Sequence, residues 1–327
     1  MFFIKNLTKN KTCYTNEVLL LRDFKLKMVN INDTCNDKNL LQEAFLKEVL
    51  QHLDFTLDIS KYLFKIRYNP KNQTKKLISI AKMVKNKYDT FEESCINTYA
   101  KRVNDRIVEV FKQEMLLDKL NISLISNNSI GHPQHSVSPY QITYKWLWEK
   151  KFPRMGWELA KEIATYAFDE LNMIDIEAAK RGLKLDVITT DDGCCIKLNT
   201  RYYLQVDLSS QGQYLLLINK SIEGNFYLLS PSKAFADVPY TVLSENLYLP
   251  LNDGKKGRAP FFQYDAEGDE YFLAIVTEQP IELSWVHWEL DSRDIILNPK
   301  RFEEIFVKLG QQSDSEVFYK RFRVLET

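Results

Sequence analysis

The sequence predicts an α+β protein: an α-helical bundle in the N-terminal half, followed by an antiparallel β-sandwich or barrel-like domain with a C-terminal helix. Apolar residues recur every three to four positions between residues 39 and 120, which is the spacing of buried helix faces. From about Leu185 they alternate at every second position and glycine turns separate the runs, as in antiparallel strands. Residues 1–150 hold 24 Lys and Arg against 16 Asp and Glu, whereas the remainder holds 20 against 28, which supports a boundary near residue 150.

The order of the predicted helices and strands divides the chain into five segments. They are a loose leader (1–38), an α-helical domain (39–120), a linker rich in Asn, Ser, Gly and Pro (121–140), connecting helices (141–184) and a β-sandwich domain (185–327). Met1 and Met28 are alternative start residues.

The helical domain is predicted from buried stripes and from start and stop signals. The first stripe includes Phe45 and Val49, and the second helix ends before Pro70. A third helix is expected over Asn72–Lys87. Thr90 and Glu93 have the spacing of a capping box for a fourth helix that ends near Leu120.

Beyond the linker we expect a short aromatic helix at Gln141–Lys151 and a long amphipathic helix from Gly156 to Gly182. The short strands then follow, and Pro299–Leu309 forms the last helix before a terminal segment, Glu316–Leu325. Tyr214–Ile218 is apolar at successive positions. It should be a central strand covered on one face by a second sheet and on the other by a helix or the N-terminal half.

Four motifs follow one another in the strand region: a glycine turn with an apolar strand, a second such strand that ends in Ser-Pro, an apolar-Pro step, and a glycine that leads into a long apolar strand. They are Gly212-Gln-Tyr-Leu-Leu-Leu-Ile, Gly224-Asn-Phe-Tyr-Leu-Leu-Ser-Pro, Tyr248-Leu-Pro and Gly268-Asp-Glu-Tyr-Phe-Leu-Ala-Ile-Val-Thr. In these motifs the segment 185–325 resembles the bacterial domain-of-unknown-function family 4384. Gly268-Asp-Glu departs by one residue from the family's Gly-Thr-Glu. The resemblance implies a β-sandwich accessory domain of multidomain signalling or conflict proteins, common in cyanobacteria, and its motifs carry no chemistry.

The bulk composition predicts a cytoplasmic protein. Five cysteines at irregular spacing do not form a disulfide framework. The first apolar patch is too short for a secretory signal, and no run approaches the ~20 apolar residues of a membrane span.

The candidate reactive groups are interpreted as structural, so we expect no catalytic, cofactor-binding or metal-binding residues. His132 and His135 lie in the linker without a third ligand, and Cys194 and Cys195 have no local partner signature. The acidic turns at Asp191-Asp192 and Asp265–Glu270 lack calcium-loop spacing. Gly254–Arg258 is glycine-rich and basic but lacks a phosphate-loop pattern, which indicates an exposed hairpin tip.

The segment between Asp58 and Asp89 is the strongest functional candidate. It contains nine Lys and Arg residues and no acidic residue. Lys75, Lys76, Lys82 and Lys85 are assigned to the third helix, opposite or beside its apolar stripe. A basic amphipathic helix can bind a membrane surface, nucleic acid or an acidic protein; alternatively it is a solvated face or the side that docks on the acidic C-terminal half.

Three functions follow as hypotheses. The leading one is a non-enzymatic bacterial accessory or adaptor protein, a protein-interaction or sensing module in signalling or defence whose partner is another protein. The alternatives are a binder of nucleic acid or an anionic surface through residues 61–87, and a cysteine hydrolase that uses Cys194 or Cys195.

Overall fold

The chain folds as a mixed α+β protein with mostly antiparallel sheets, which confirms the predicted fold class at this level. This description comes from a computed structural model. It describes residues 39–122, 138–181, 188–190, 193–208, 211–245, 247–287 and 295–326, with the backbone alone at 188–190 and 193. Among these residues the sheets do not close into a barrel.

The helices fall largely where the apolar periodicity predicts them. The α-helices are α1 Leu40–Leu53, α2 Asp58–Tyr68, α3 Leu77–Lys87, α4 Ile96–Leu117, α5 Pro139–Trp146, α6 Phe152–Ile163, α7 Ile176–Lys180 and α8 Pro299–Leu309. Short 3₁₀ turns cover Pro70–Asn72 and Glu93–Cys95, and a π-helical segment, Leu147–Lys151, joins α5 to α6. None of the described helices combines the length and hydrophobicity that crossing a membrane requires.

Two helix starts differ from their predictions. Helix α4 begins at Ile96, and its N-cap Cys95 makes no side-chain cap, so the expected capping box at Thr90 is wrong. A capping box forms instead at Ser138, whose hydroxyl accepts from the N–H of Gln141 while the Gln141 side chain accepts from the N–H of Ser138. Helix α5 therefore starts inside the segment assigned to the linker.

The connecting region is not helical throughout. Helix α6 ends at Ile163, and the chain then forms strands before the short helix α7, so the predicted helix from Gly156 to Gly182 is wrong beyond residue 163. The strand β1 at Thr165–Tyr166 pairs in parallel with the last strand of the chain. This pairing with a segment distant in sequence overrides the amphipathic pattern.

Eight strands form the larger sheet and three form the smaller one. The strands are β1 Thr165–Tyr166, β2 Leu171–Asp175, β3 Ile188–Thr190, β4 Gly193–Lys197, β5 Tyr202–Val206, β6 Tyr214–Lys220, β7 Phe226–Ser230, β8 Thr241–Val242, β9 Leu247–Leu249, β10 Gly268–Thr277 and β11 Ser315–Leu325. The larger sheet has the order β3-β4-β11-β10-β6-β7, with β1 beside β11 and β8 beside β6. The smaller sheet has the order β2-β5-β9.

The centre of the larger sheet is buried on both faces. Leu216 and Ile218 of β6 belong to a helix-side core, which the sheet shares with helices α1 to α6 and α8. Leu215 and Leu217 belong to an inter-sheet core, which also contains Leu204 of the smaller sheet. The prediction that this strand is covered on both faces is therefore confirmed.

The described helices and sheets pack into one unit. Gln42 of α1 donates to the carbonyl oxygens of Gly310 (2.9 Å) and Gln312 (2.8 Å), which lie between α8 and β11. Asn39 caps α1 and donates to the same Gln312 carbonyl. The first described helix is thus hydrogen-bonded to the last part of the chain.

Helices α6 and α8 cross where α6 has a glycine. A Cβ on Gly156 would overlap the ring of Phe306, which is fully buried. The Phe306 ring also lies 6.3 Å from that of Phe152, which packs against Phe45 of α1 at 5.1 Å. A side chain at position 156 would therefore push α8 away from the aromatic core.

We predict that Gly156→Ala lowers the free energy of unfolding by about 1–3 kcal/mol, the usual cost of overpacking a core, although alanine favours helix formation. Urea unfolding measures the change. Adding Phe306→Leu should make the double variant more stable than the sum of the two single changes. Ser79→Ala, at an exposed helix position, is the control and should not destabilise the protein. A stabilised Gly156→Ala variant would contradict the close crossing.

Candidate anion-binding surface

Helix α3 presents one apolar face to the protein and a lysine-bearing face to solvent. Ile80, Ala81 and Val84 are at most 1% exposed and pack in the helix-side core. Their spacing covers one side of the helix, so residues on the opposite side remain accessible. The helix is therefore held by its apolar face, while Lys82 on its other side is exposed.

The structure shifts two of the four predicted lysines out of the helix. Helix α3 begins at Leu77, not Asn72, so Lys75 and Lys76 lie in the preceding turn, with Lys76 as the N-cap. Lys75, Lys76 and Lys82 are exposed. Lys85 is half-buried and donates to the backbone carbonyl of Asp89. The role of these four residues as contacts for a partner remains a prediction.

An exposed isoleucine accompanies these lysines. Ile78 is 63% exposed and lies four residues before Lys82, so the two side chains share a face of α3. We call Lys75, Lys76, Ile78, Lys82 and Lys85 the basic surface. The sequence analysis did not identify Ile78 as an exposed apolar residue. Its position off the buried stripe of Ile80, Ala81 and Val84 was the signal that could have shown this.

The basic surface is not neutralised locally. Its four lysines form no salt bridge with any described carboxylate, and the sequence has no acidic residue between Asp58 and Asp89. Asp58 is itself paired with Lys61 at 3.0 Å. The surface therefore carries an excess positive charge that attracts anions from solution.

The turn before α3 is fixed by hydrogen bonds. Asn72 donates its amide to the carbonyl of Ile66 (2.7 Å) and accepts from the backbone N–H of Lys75 (3.0 Å). Asn69 accepts from the N–H of Lys71 (2.9 Å). The backbone that carries Lys75 and Lys76 is thus tied to α2, which limits the motion to their side chains.

Beneath this turn, α2 is anchored by a buried polar network. The Tyr68 hydroxyl lies 3.2 Å from Asn104 Oδ1 and 3.1 Å from Thr143 Oγ1, linking α2 to α4 and α5. Thr143 also donates to Asn104 (2.6 Å), and Trp148 donates to the Tyr68 carbonyl (2.8 Å). Burial raises the pKa of Tyr68, so its hydroxyl remains a neutral partner in the network.

Arg67 does not join the basic surface. Its guanidinium lies 3.9 Å from the centroid of the Tyr140 ring, and burial lowers its pKa from the ordinary value. The Tyr140 hydroxyl donates to the Arg67 carbonyl at 2.8 Å. The arginine is therefore held within the fold.

The basic tip at Gly254–Arg258 is also held by contacts within the protein. The Arg258 side chain is 8% exposed and bonds Asp253 (2.8 Å) and Asp237 (3.2 Å). It also donates to the carbonyls of Lys233 and Ala236. The Arg258 hydrogen bond lowers the pKa of Asp253, which keeps the pair ionised. An external anion would have to displace these carboxylates.

Cys194 and Cys195 lie on β4, and His52 lies on the helix α1. Cys194 is 5% exposed in the inter-sheet core, and Cys195 is half-buried. His52 lies 3.4 Å from Glu48 on the surface of α1. Four further candidate residues, Cys13, Cys35, His132 and His135, lie outside the described residues.

The acidic turn at Asp265–Glu270 divides its carboxylates among separate partners. Asp269 pairs with Arg321 (3.1 Å), Glu267 accepts from the N–H of Glu326 (2.7 Å), and Glu270 points inward. Within the described ranges no group of three or more Asp, Glu, His or Cys side chains is placed to hold a metal. Asp191 and Asp192 lie outside those ranges.

Two charged residues are buried, although the sequence analysis placed Glu270 in an acidic turn and did not single out Lys320. Glu270, 3% exposed, accepts from the Asn219 amide (2.6 Å) and the N–H of Ile222 (3.0 Å). Lys320, fully buried, donates to the carbonyl of Phe168, and its ammonium lies 5.5 Å from the Tyr166 ring centroid. Both residues occupy positions that the alternation of side chains along their strands directs inward. This alternation was the sequence signal that could have identified them.

No family model matches the sequence, and neither a curated protein nor a solved structure matches it.

We predict that Glu270 makes stability fall as pH rises. Burial raises the pKa of Glu270 above its ordinary value of 4.5. This effect is larger than the opposing effect of the hydrogen bonds from Asn219 and Ile222, which lower the pKa. Its favourable contribution is fully present below pH 4.5 and is lost as pH rises through the folded-state pKa. Glu270→Gln keeps the hydrogen-bond acceptor without the charge. Wild type should therefore lose stability relative to this variant between pH 4.5 and neutrality.

Urea unfolding across that range measures the difference, with exposed Glu278→Gln as control. A difference between wild type and Glu270→Gln that does not change with pH would contradict the prediction.

Proposed function

We propose that this chain is a non-enzymatic interaction protein, an accessory or adaptor module of the bacterial cytoplasm that binds a negatively charged partner through the basic surface. The uncompensated charge of Lys75, Lys76 and Lys82 beside the exposed Ile78 carries this proposal. These side chains are held on a fixed backbone but have no role in packing. Such a surface gains binding energy from an anionic partner without reorganising the fold.

The proposal retains the resemblance to family 4384 for the C-terminal part. On this proposal the strands form a β-sandwich accessory domain in a signalling or defence context. Strands β6, β7 and β10 lie at the motif positions, and Gly212 and Gly224 have positive φ angles of 81° and 84°, which glycine adopts without strain. These features support the proposed domain type, while the context rests on the resemblance alone.

A second candidate is a nucleic-acid-binding protein that uses the same segment. The nine Lys and Arg residues between Asp58 and Asp89 favour it, because phosphate contacts dominate nucleic-acid affinity. The third hypothesis, a cysteine hydrolase, gains no support, since Cys194 is buried in the inter-sheet core.

We predict that replacing Lys75, Lys76, Lys82 and Lys85 by Glu abolishes retention on heparin and on immobilised polyglutamate. The basis is the reversal of the surface charge, so wild-type retention should also fall steeply with salt. Chromatography over a salt gradient measures both effects, and circular dichroism checks the fold.

The matched control replaces four exposed lysines elsewhere, Lys101, Lys112, Lys256 and Lys300, by Glu. It has the same net charge and should retain most of the binding. Equal losses in the two variants, or no retention of wild type, would overturn the proposed role of the basic surface.

A further inference from the structure

We propose that the basic surface docks on an anionic phospholipid bilayer, so that the protein binds the membrane peripherally. This inference rests on the proposed function and names the partner class of the same surface. Exposed lysines accompany an exposed isoleucine at the start of a helix whose other face is already packed. That juxtaposition matches a bilayer, where anionic headgroups lie directly above a hydrocarbon layer.

The positions of the lysines and of Ile78 match the headgroup layer and the hydrocarbon layer of a bilayer. Lys82 follows Ile78 by four residues, so these two side chains share a face of α3, and Lys75 and Lys76 are exposed in the turn just before the helix. A lysine stem is long enough to keep its ammonium at headgroup level while a neighbouring apolar side chain enters deeper. The isoleucine would thus reach the acyl boundary while the lysines bind phosphate.

The chemistry of the surface favours lipid over nucleic acid. Its cations are all lysines, because Arg67, the only arginine of the segment, lies over the Tyr140 ring. Aromatic rings nearby pack on one another, as Tyr62 does on Tyr88 with centroids 5.8 Å apart. The basic surface itself therefore offers neither a bidentate arginine fork nor a ring for base stacking.

The surface also fits a protein partner less well. The centres of protein interfaces are enriched in aromatic residues and arginine and depleted in lysine. Here one isoleucine, 63% exposed, has exposed lysines at nearby positions of the chain. Fluid anionic headgroups need no matching shape and can neutralise each ammonium separately.

The packing of α3 limits how the protein can bind. Ile80 and Val84 are fixed in the helix-side core, so α3 cannot turn its apolar face into the lipid without unfolding that core. Binding should therefore be shallow, reversible and sensitive to salt, with a smaller contribution from Ile78 that salt does not remove.

Flotation of the full chain with phosphatidylcholine vesicles, with and without phosphatidylserine, tests the inference. We expect binding to the anionic vesicles only. Each Lys→Gln change at Lys75 or Lys82 should weaken it about fivefold and reduce its salt dependence. Ile78→Ser should weaken binding at every salt concentration and leave the salt dependence unchanged. Lys101→Gln and Lys256→Gln, at exposed positions outside the surface, should have little effect.

The outcomes separate this inference from the proposed function. Retention on heparin that requires Lys75, Lys76, Lys82 and Lys85, without binding to anionic vesicles, overturns the bilayer inference and leaves the proposed function standing. Tight binding to an oligonucleotide or to polyglutamate with no vesicle binding has the same consequence. Equal binding to neutral and anionic vesicles, or an Ile78→Ser variant that binds like wild type, also overturns the bilayer inference. Loss of binding to every anionic probe overturns both.

Discussion

The double-sided burial of β6 and β10 is the constraint on which the rest of this structure depends. Five consecutive residues of β10, from Phe272 to Val276, are at most 1% exposed and alternate between the two cores. Each fully buried apolar side chain of this size contributes roughly 1.5–3 kcal/mol relative to exposure. Leaving one face of the sheet in water would forfeit the contributions of half the strand. The smaller sheet covers one face and the helices must cover the other, so the helical half completes the sheet's core instead of standing apart from it.

This requirement explains why the two ends of the described chain meet. The helices can cover the sheet only if α1, α6 and α8 stack closely, and this stacking depends on the absence of a side chain at Gly156 opposite Phe306. The hydrogen bonds from Asn39 and Gln42 to the Gly310 and Gln312 carbonyls then fix α1 against the start of β11. Loss of α1 would expose both the helix-side core and these backbone carbonyls. Changes in the first helix and in the last strand should therefore affect the same unfolding transition.

Sequence patterns predicted those parts of the fold that depend on local signals. Gly212 and Gly224 mark turns, and the apolar run at Tyr214–Ile218 indicated a strand covered on both faces. The patterns failed at Thr165–Tyr166, because that short strand exists through pairing with Phe318 and Tyr319, which are distant in sequence. The candidate surface shows the same difference between features that local sequence signals predict and features that depend on tertiary contacts. The lysines of α3 follow from its apolar stripe, whereas the engagement of Arg67 by Tyr140 and of Arg258 by Asp237 and Asp253 arises only from tertiary contacts.

The contrast among the cations is the strongest physical support for the proposal that the basic surface binds a partner. Several structural cations elsewhere in the described chain are paired with carboxylates: Arg258 with Asp237 and Asp253, Arg321 with Asp269, and Lys151 with Glu114. Those pairs join separate segments and offset the repulsion between like charges. On α3 the packing is done by Ile80, Ala81 and Val84, whereas Lys75, Lys76 and Lys82 are exposed without a described carboxylate partner and so add mutual repulsion. An anionic partner would remove that repulsion and cover the exposed Ile78 at the same time, so both features are explained by a single binding event.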